Sequence, residues 1–338
     1  MRALVTGAAG FVGRWLTALL IEQGWDVTGS TNTAAPHPAA SRFGEIAAAG
    51  TAAGAATGDA RAIRWVEGDM RDPHDIGRML DTSRPDAVFH LAGVSFVPAA
   101  GGDPGQSCDV NVSGTARLLH SVVVRRAAGT VDPVVLIVGS SEQYGRHDAS
   151  DLPLAEDAAQ RPLTVYGASK SAQEVMALQA FRSNGVRVVC TRSFGHSGPG
   201  QSPGFLFPSL VRRALELRGV TSRSVESPRL AIGNVNPVRD YLHVADVARA
   251  YLLLAERGEA GAVYNVSSGV GQAVGALAAA VLRRTGVDAR IVADDSLVRA
   301  VDVPALVGDS ARLRRTTGWS PSHDTDDIID DLIHAATH

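Results

Sequence analysis

Tyr166 and Lys170 stand four residues apart in the stretch TVYGASK. On a helix this spacing puts both side chains on one face, a turn apart. A phenol paired with an ammonium is an acid/base group: the cation lowers the phenol pKa from its usual value of roughly 10, and the phenol exchanges a proton with a substrate alcohol or ketone. The spacing alone is common. Weight comes from Ser140, 26 residues upstream in VGSSEQYG, where the apolar run VVLIVG gives out. A hydroxyl at a strand end there adds a second donor to the reacting oxygen. Glu142 sets a carboxylate in the same stretch, fit either for a further proton transfer or only for a turn.

Other strand ends offer a seat for a dinucleotide. TGAAGFVG, Thr6 to Gly13, follows the apolar ALVT and opens a helical pattern. Gly7, Gly10 and Gly13 permit a tight turn, close approach of backbone to a pyrophosphate and close helix packing, and Phe11 and Val12 complete the loop. GDM ends the third strand with Asp69, placed to reach an adenine amino group, followed by Met70. HLAG ends the fourth, where Leu91, Ala92 and Gly93 let a cofactor lie against the backbone. The second strand ends as VTGSTNT, with no Asp or Glu where an NAD-selective fold holds the ribose 2'-hydroxyl. Ser30, Thr31 and Asn32 can donate to a 2'-phosphate instead, with Arg14 and Arg42 as nearby cations. NADP(H) is favoured, and NAD(H) remains compatible.

The elements that must position these groups follow from the apolar pattern. Short β-rich runs (ALVT, DVTGS, AIRWVEG, DAVFHLA, PVVLIVGS, VRVVCTRS, AVYNVSS) alternate with helical stretches. Continuous apolar strands separated by helices predict an α/β fold, a Rossmann-type doubly wound parallel sheet, with a smaller C-terminal substrate-binding region. The expected division is residues 1–192 for the dinucleotide and mainly 193–338 for the substrate, with 238–258 packing back on the first part. Residues 33–60, rich in Ala, Gly and Thr, read as an exposed insertion with one short helix at EIAAAG. After Ser193 the alternation breaks into GHSGPGQSPGF, a helix at PSLVRRALEL, and polar loops.

Composition bounds the partners. The 338 residues are 45% apolar and 20% charged with a net charge of -3, an ordinary globular balance with no basic footprint for nucleic acid. Two cysteines, Cys108 and Cys190, without a CxxC pair or Cys/His cluster, give neither a disulfide scaffold nor a metal signature. No apolar run reaches the roughly 18 residues of a membrane span, and MRALVTGAAG does not read as a signal peptide. The expected home is the cytoplasm and the expected partner a small molecule.

In order and spacing, TGAAGFVG, GDMRD, HLAG, VNVSGT, GSSEQYG and YGASK resemble the extended short-chain dehydrogenases/reductases, the nucleotide-sugar epimerases, dehydratases and reductases. The resemblance covers essentially the whole chain. It implies Tyr166 as acid/base, Lys170 lowering its pKa and holding the nicotinamide ribose, and Ser140 positioning the substrate 4-oxygen, with Ser141 the competing serine. The second half is most similar to GDP-4-dehydro-6-deoxy-D-mannose reductases, with GDP-mannose 4,6-dehydratases next. That similarity implies Arg239 and Arg299 as a diphosphate clamp, unless each is an ordinary ion pair, and Asn234 near the nucleotide or sugar. The implied reaction is NAD(P)H-dependent reduction of a 4-keto-6-deoxy hexose carried on GDP, yielding GDP-D-rhamnose, by a homodimer. Alternatives are a 4,6-dehydratase, for which Glu142 would be the additional acid/base, another nucleotide-sugar dehydratase or epimerase, and a non-catalytic NADP-binding sensor. His196 reads as a structural hydrogen bonder. One departure stands out: FGH replaces the family's FNH, so Gly195 lacks an amide expected to contact substrate and leaves room for a bulkier sugar.

Overall fold

A computed structural model of the chain describes residues 1–32, 63–218, 228–294, 297 and 303–337. The expected 33–60 insertion with its helix, Arg42 and Arg299 lie outside the described residues. The first half carries β1 (Arg2–Thr6), β2 (Asp26–Thr31), β3 (Arg64–Glu67), β4 (Ala87–His90), β5 (Val134–Ser140) and β6 (Arg187–Ser193). Its longer helices are α1 (Phe11–Glu22), α2 (Pro73–Ser83), α3 (Gly114–Ala127) and α4 (Val165–Asn184). Further along lie β7 (Gly195–Ser197), α5 (Leu206–Arg218), β8 (Arg229–Ile232), β9 (Val238–His243), α6 (Val244–Arg257) and β10 (Val263–Val266). The chain continues through β11 (Gly271–Ala273), α7 (Val274–Thr285), β12 (Arg290–Ala293), β13 (Ala305–Leu306), α8 (Ala311–Thr317) and α9 (Thr325–Thr337).

All seven β-rich runs join one parallel sheet in the order β10-β6-β5-β4-β1-β2-β3. Strand order reverses between β1 and β4, which opens a crevice at the carboxyl ends of the strands. Because successive side chains point to opposite faces, each apolar strand feeds two cores. Ala3, Val5, Phe89, Leu136 and Val189 pack with Leu16 and Leu20 of α1 and Val247, Tyr251 and Leu254 of α6. Their neighbours Leu4, Val88, Val135, Ile137, Val188 and Cys190 pack on the other face with α2, α3 and α4.

The segment after Ser193, read from sequence as a helix amid polar loops, contains short strands as well. β7 and β13 pair parallel to β9 and β11 pairs antiparallel to it, while β12 pairs with β8. These strands are only two to six residues long and lack a clear alternation, so their pairing is a tertiary product. Beside them Phe207, Leu210, Leu230, Leu277, Val281, Ile328 and Leu332 form a third core.

Candidate active site

Three local devices position the candidate residues Ser140, Tyr166 and Lys170. Helix α4 starts at a cap, where Thr164 Oγ1 accepts the Gly167 N–H at 3.0 Å, so Tyr166 sits in its first turn and Lys170 one turn later. β5 ends in a 3₁₀ turn, Ser141–Gln143, closed reciprocally: Ser140 Oγ accepts the Glu142 N–H at 3.2 Å and Gln143 Oε1 accepts the Ser140 N–H at 2.8 Å. With its oxygen held by the Glu142 N–H, the Ser140 hydroxyl stands beside the Tyr166 phenol. The third device is a π-helical turn, Asp109–Ser113, which turns Asn111 inward to bind both polar groups of Val94 and Ser169 Oγ.

The electrostatics depart from the sequence expectation that Lys170 lowers Tyr166. Burial pushes the Tyr166 phenol up to about 12, the Ser140 hydrogen bond pulls the other way, and the Glu142 carboxylate adds to the rise. Burial brings Lys170 down to about 8. Its ammonium is engaged by the Val138 carbonyl at 2.8 Å and Gln173 Oε1 at 2.9 Å. At neutral pH Tyr166 is therefore a protonated phenol, a donor.

A cavity of about 800 Å³ runs along the strand ends and gathers most of the sequence candidates. Gly7, Gly10, Phe11, Val12, Gly13, Ser30, Asp69, Met70, Leu91, Ala92 and Gly93 line one part of it. Ser140, Ser141, Glu142, Tyr166, Lys170 and Arg239 line another. Asn234 is not on this wall; it is exposed and its side-chain oxygen accepts the Asn236 N–H at 3.1 Å, the geometry of a turn residue. Arg14, expected near a 2'-phosphate, donates to the Gly200 carbonyl at 3.0 Å instead. His196 lines the cavity, bonds the Phe194 carbonyl at 2.9 Å and stacks on Phe11.

The glycine loop fits a dinucleotide. Gly7 has φ +70°, and a Cβ there would meet Ala92 N at 2.9 Å, so only glycine lets the two loops approach this closely at the start of α1. Gly195 shows a different outcome from that read in sequence. A Cβ there would meet the Asp240 carbonyl oxygen and the Tyr241 ring, all at 2.9 Å. The absent amide leaves no room, because Tyr241 of β9, packed edge-on against Phe207, fills it.

Several wall residues escaped the sequence reading. Arg71 lines the cavity beside Asp69 and forks onto it, with Nη2 to Oδ2 at 2.6 Å, which holds the Asp69 carboxyl below its usual range. Phe96 and Phe205 meet edge to face across the cavity, and Ser193 hydrogen-bonds Tyr251 at 2.7 Å. Arg71 had a signal in GDMRD. The aromatic pair had none, since its members are distant in sequence. Among the described residues no cluster of His, Cys, Asp or Glu is arranged to hold a metal ion.

Fold and site together define an NAD(P)-dependent nucleotide-sugar oxidoreductase of the extended short-chain dehydrogenase/reductase class. Residues 4–332 match the GDP-mannose 4,6 dehydratase family, and the chain belongs to it. It is 36% identical to a GDP-6-deoxy-D-mannose reductase of Pseudomonas aeruginosa over 75% of this chain and 80% of the relative. Among solved structures it resembles RMD from Pseudomonas aeruginosa complexed with NADPH, at 30% identity, full coverage of both chains and a TM-score of 0.77. DesIV, a dTDP-glucose 4,6-dehydratase from Streptomyces venezuelae with NAD and TYD bound, matches at 28% identity over 100% of this chain and 97% of its own, with a TM-score of 0.80.

Proposed function

We propose that the protein reduces the 4-keto group of a GDP-linked 4-keto-6-deoxy hexose, converting GDP-4-dehydro-6-deoxy-D-mannose to GDP-D-rhamnose with NADPH. The observation that carries this reading is the Tyr166 phenol, kept protonated by burial and hydrogen-bonded to Ser140 within the cavity that holds the glycine loop. A bound reduced nicotinamide supplies the hydride. Tyr166 gives its proton to the oxygen on C4, and the Ser140 hydroxyl, fixed by the Glu142 N–H, steadies the charge growing there. Lys170 holds the nicotinamide ribose. Arg239 faces the substrate diphosphate, for which a planar guanidinium with two parallel donors is suited.

Preference for NADPH rests on the β2 end, where Ser30, Thr31 and Asn32 line the cavity without a carboxylate. The NADPH-bound neighbour supports the same choice. No described helix is long and apolar enough to cross a membrane, and the reading takes the protein as a cytoplasmic homodimer.

A second reading, 4,6-dehydration of GDP-mannose, is favoured by Glu142, whose carboxylate lines the cavity and acts on Tyr166. One experiment separates them: purified protein is given GDP-mannose alone, or the 4-keto-6-deoxy intermediate with NADPH. Consumption of NADPH only with the ketosugar is expected. A 4-keto product from GDP-mannose without net cofactor use would make the protein a dehydratase, and inertness toward both with NADPH still bound would make it a sensor. Tyr166→Phe is expected to lower turnover about 100-fold or more while NADPH still binds.

A further inference from the structure

The catalytic lysine is the end of a longer line of hydrogen bonds. An ammonium has only donors, so the Gln173 amide must turn its oxygen to Lys170 and its NH₂ the other way. That NH₂ donates to Thr115 Oγ1 at 2.8 Å, and the Thr115 hydroxyl proton goes to the Asn111 carbonyl at 2.7 Å. With its one proton committed, Thr115 Oγ1 can only accept from His90 Nε2, 3.0 Å away. His90 therefore carries its proton on Nε2 and accepts on Nδ1 from the Thr6 hydroxyl at 2.8 Å, while Thr6 Oγ1 accepts the Ala92 N–H at 3.2 Å. The other tautomer would leave the Thr6 proton without an acceptor among the described residues. Thr6, His90, Thr115 and Gln173 are each 0% exposed, so bulk water replaces none of these bonds. Burial, aided by the Lys170 charge, pulls His90 down to about 3, which keeps the ring neutral as the line requires.

We propose that Gln173 is a positioning residue of the reaction: it sets the Lys170 ammonium and, through Thr115 and His90, ties it to Thr6 and Ala92. Those two residues immediately precede Gly7 and Gly93 of the cavity wall, so the seat of the dinucleotide and the placement of the lysine are set together. The inference rests on the reading of Lys170 as the group that holds the nicotinamide ribose.

The test opposes packing to positioning. Gln173→Met preserves volume and removes both hydrogen bonds, whereas Gln173→Glu keeps an acceptor for Lys170 at the expense of a buried carboxylate. If Gln173 only fills space, Met is the milder change; if it positions the lysine, Glu is milder. NADPH and NADH dissociation constants are read by fluorescence titration without sugar, beside kcat and sugar KM. Gln173→Met is expected to raise the dissociation constant of the better-bound cofactor about fivefold and lower kcat about tenfold, with sugar KM within about threefold. Gln173→Glu is expected to recover a large part of both losses. Thr115→Val breaks the line one step beyond Gln173, between it and His90, so it should show the same pattern more weakly, and Thr115→Ser should recover part of it. This pair keeps the test open should a position-173 variant fail to fold. A folded Glu variant worse than Met, or Thr115→Val within about twofold of the parent in both readouts, overturns the proposal. The titration needs no sugar, so its result stands whether or not the ketosugar is the substrate.

Discussion

Tyr166 and Lys170 are displaced in opposite directions by the same burial, the phenol up to about 12 and the ammonium down to about 8. The phenol faces Ser140 and the Glu142 carboxylate, while the ammonium faces the Val138 carbonyl, Gln173 and a neutral His90. Across ordinary assay pH the phenol stays a donor, and the group that titrates is the lysine. The reduction rate is therefore expected to hold below about pH 8 and to fall as pH rises through it, where Lys170 loses its charge. Lys170→Arg, whose cation persists above pH 12, should be slower but lose that alkaline limb. A parent profile flat to pH 10 would show that the lysine charge is not required. The pairing of these residues was legible in the sequence because one helical turn joins them. The direction of the Tyr166 shift was not, since it depends on burial by distant strands. Gly195 teaches the same lesson: a missing side chain reads as space until β9 brings the Tyr241 ring over it.

Among the elements, β6, α4 and the turn after β5 are fastened by one buried ion pair. Arg192 of β6 meets Glu174 of α4 through two hydrogen bonds, at 2.9 and 2.8 Å, with both side chains almost wholly buried. Gln143 donates to the same carboxylate at 2.8 Å while its oxygen accepts the Ser140 N–H, so the serine is anchored to the helix that carries Tyr166. Removing one partner strands a buried charge. Arg192→Met or Glu174→Leu alone is expected to cost about 3–5 kcal/mol, and the double variant distinctly less than the sum, as measured by denaturant unfolding. Additive losses would mean that the two charges do not share this site. The seven strands and the helices between them were readable from apolar runs, because a sheet buried on both faces leaves no alternation to confuse them. Strands β7, β9, β11 and β13 hid in loops because their partners, not their composition, make them strands.

At the scale of the whole molecule, the sheet's central strand β4 carries an ionisable ring into the interior. His90 is fully enclosed and its two nitrogens are committed to Thr6 and Thr115. The unfolded chain protonates this histidine below about pH 6.5, whereas burial and the Lys170 charge hold the folded group near 3. Between those values the unfolded state binds the extra proton, so stability is full above pH 6.5 and drains away as pH falls towards 3, by up to about 1.4 kcal/mol per pH unit. Asp246 adds to the loss only below its ordinary value of 3.8: burial raises it, but hydrogen bonds from His323 and Ser322 outweigh that and leave it lowered. His323 works in the opposite sense. Its hydrogen bond to Asp246 raises it above 6.5, so it lends stability that is fully present below pH 6.5 and is lost only as pH rises above it, outside the window of the His90 effect. Urea unfolding at a series of pH values from 7 to 4 is expected to show falling stability, flattened in His90→Gln, whose side chain stays neutral throughout, and lowered without a change of slope below about pH 6 in His323→Gln. An equal slope in the parent and the His90 variant would mean that the ring is not held neutral, and with it the single direction of the hydrogen-bond line to Lys170 would be lost.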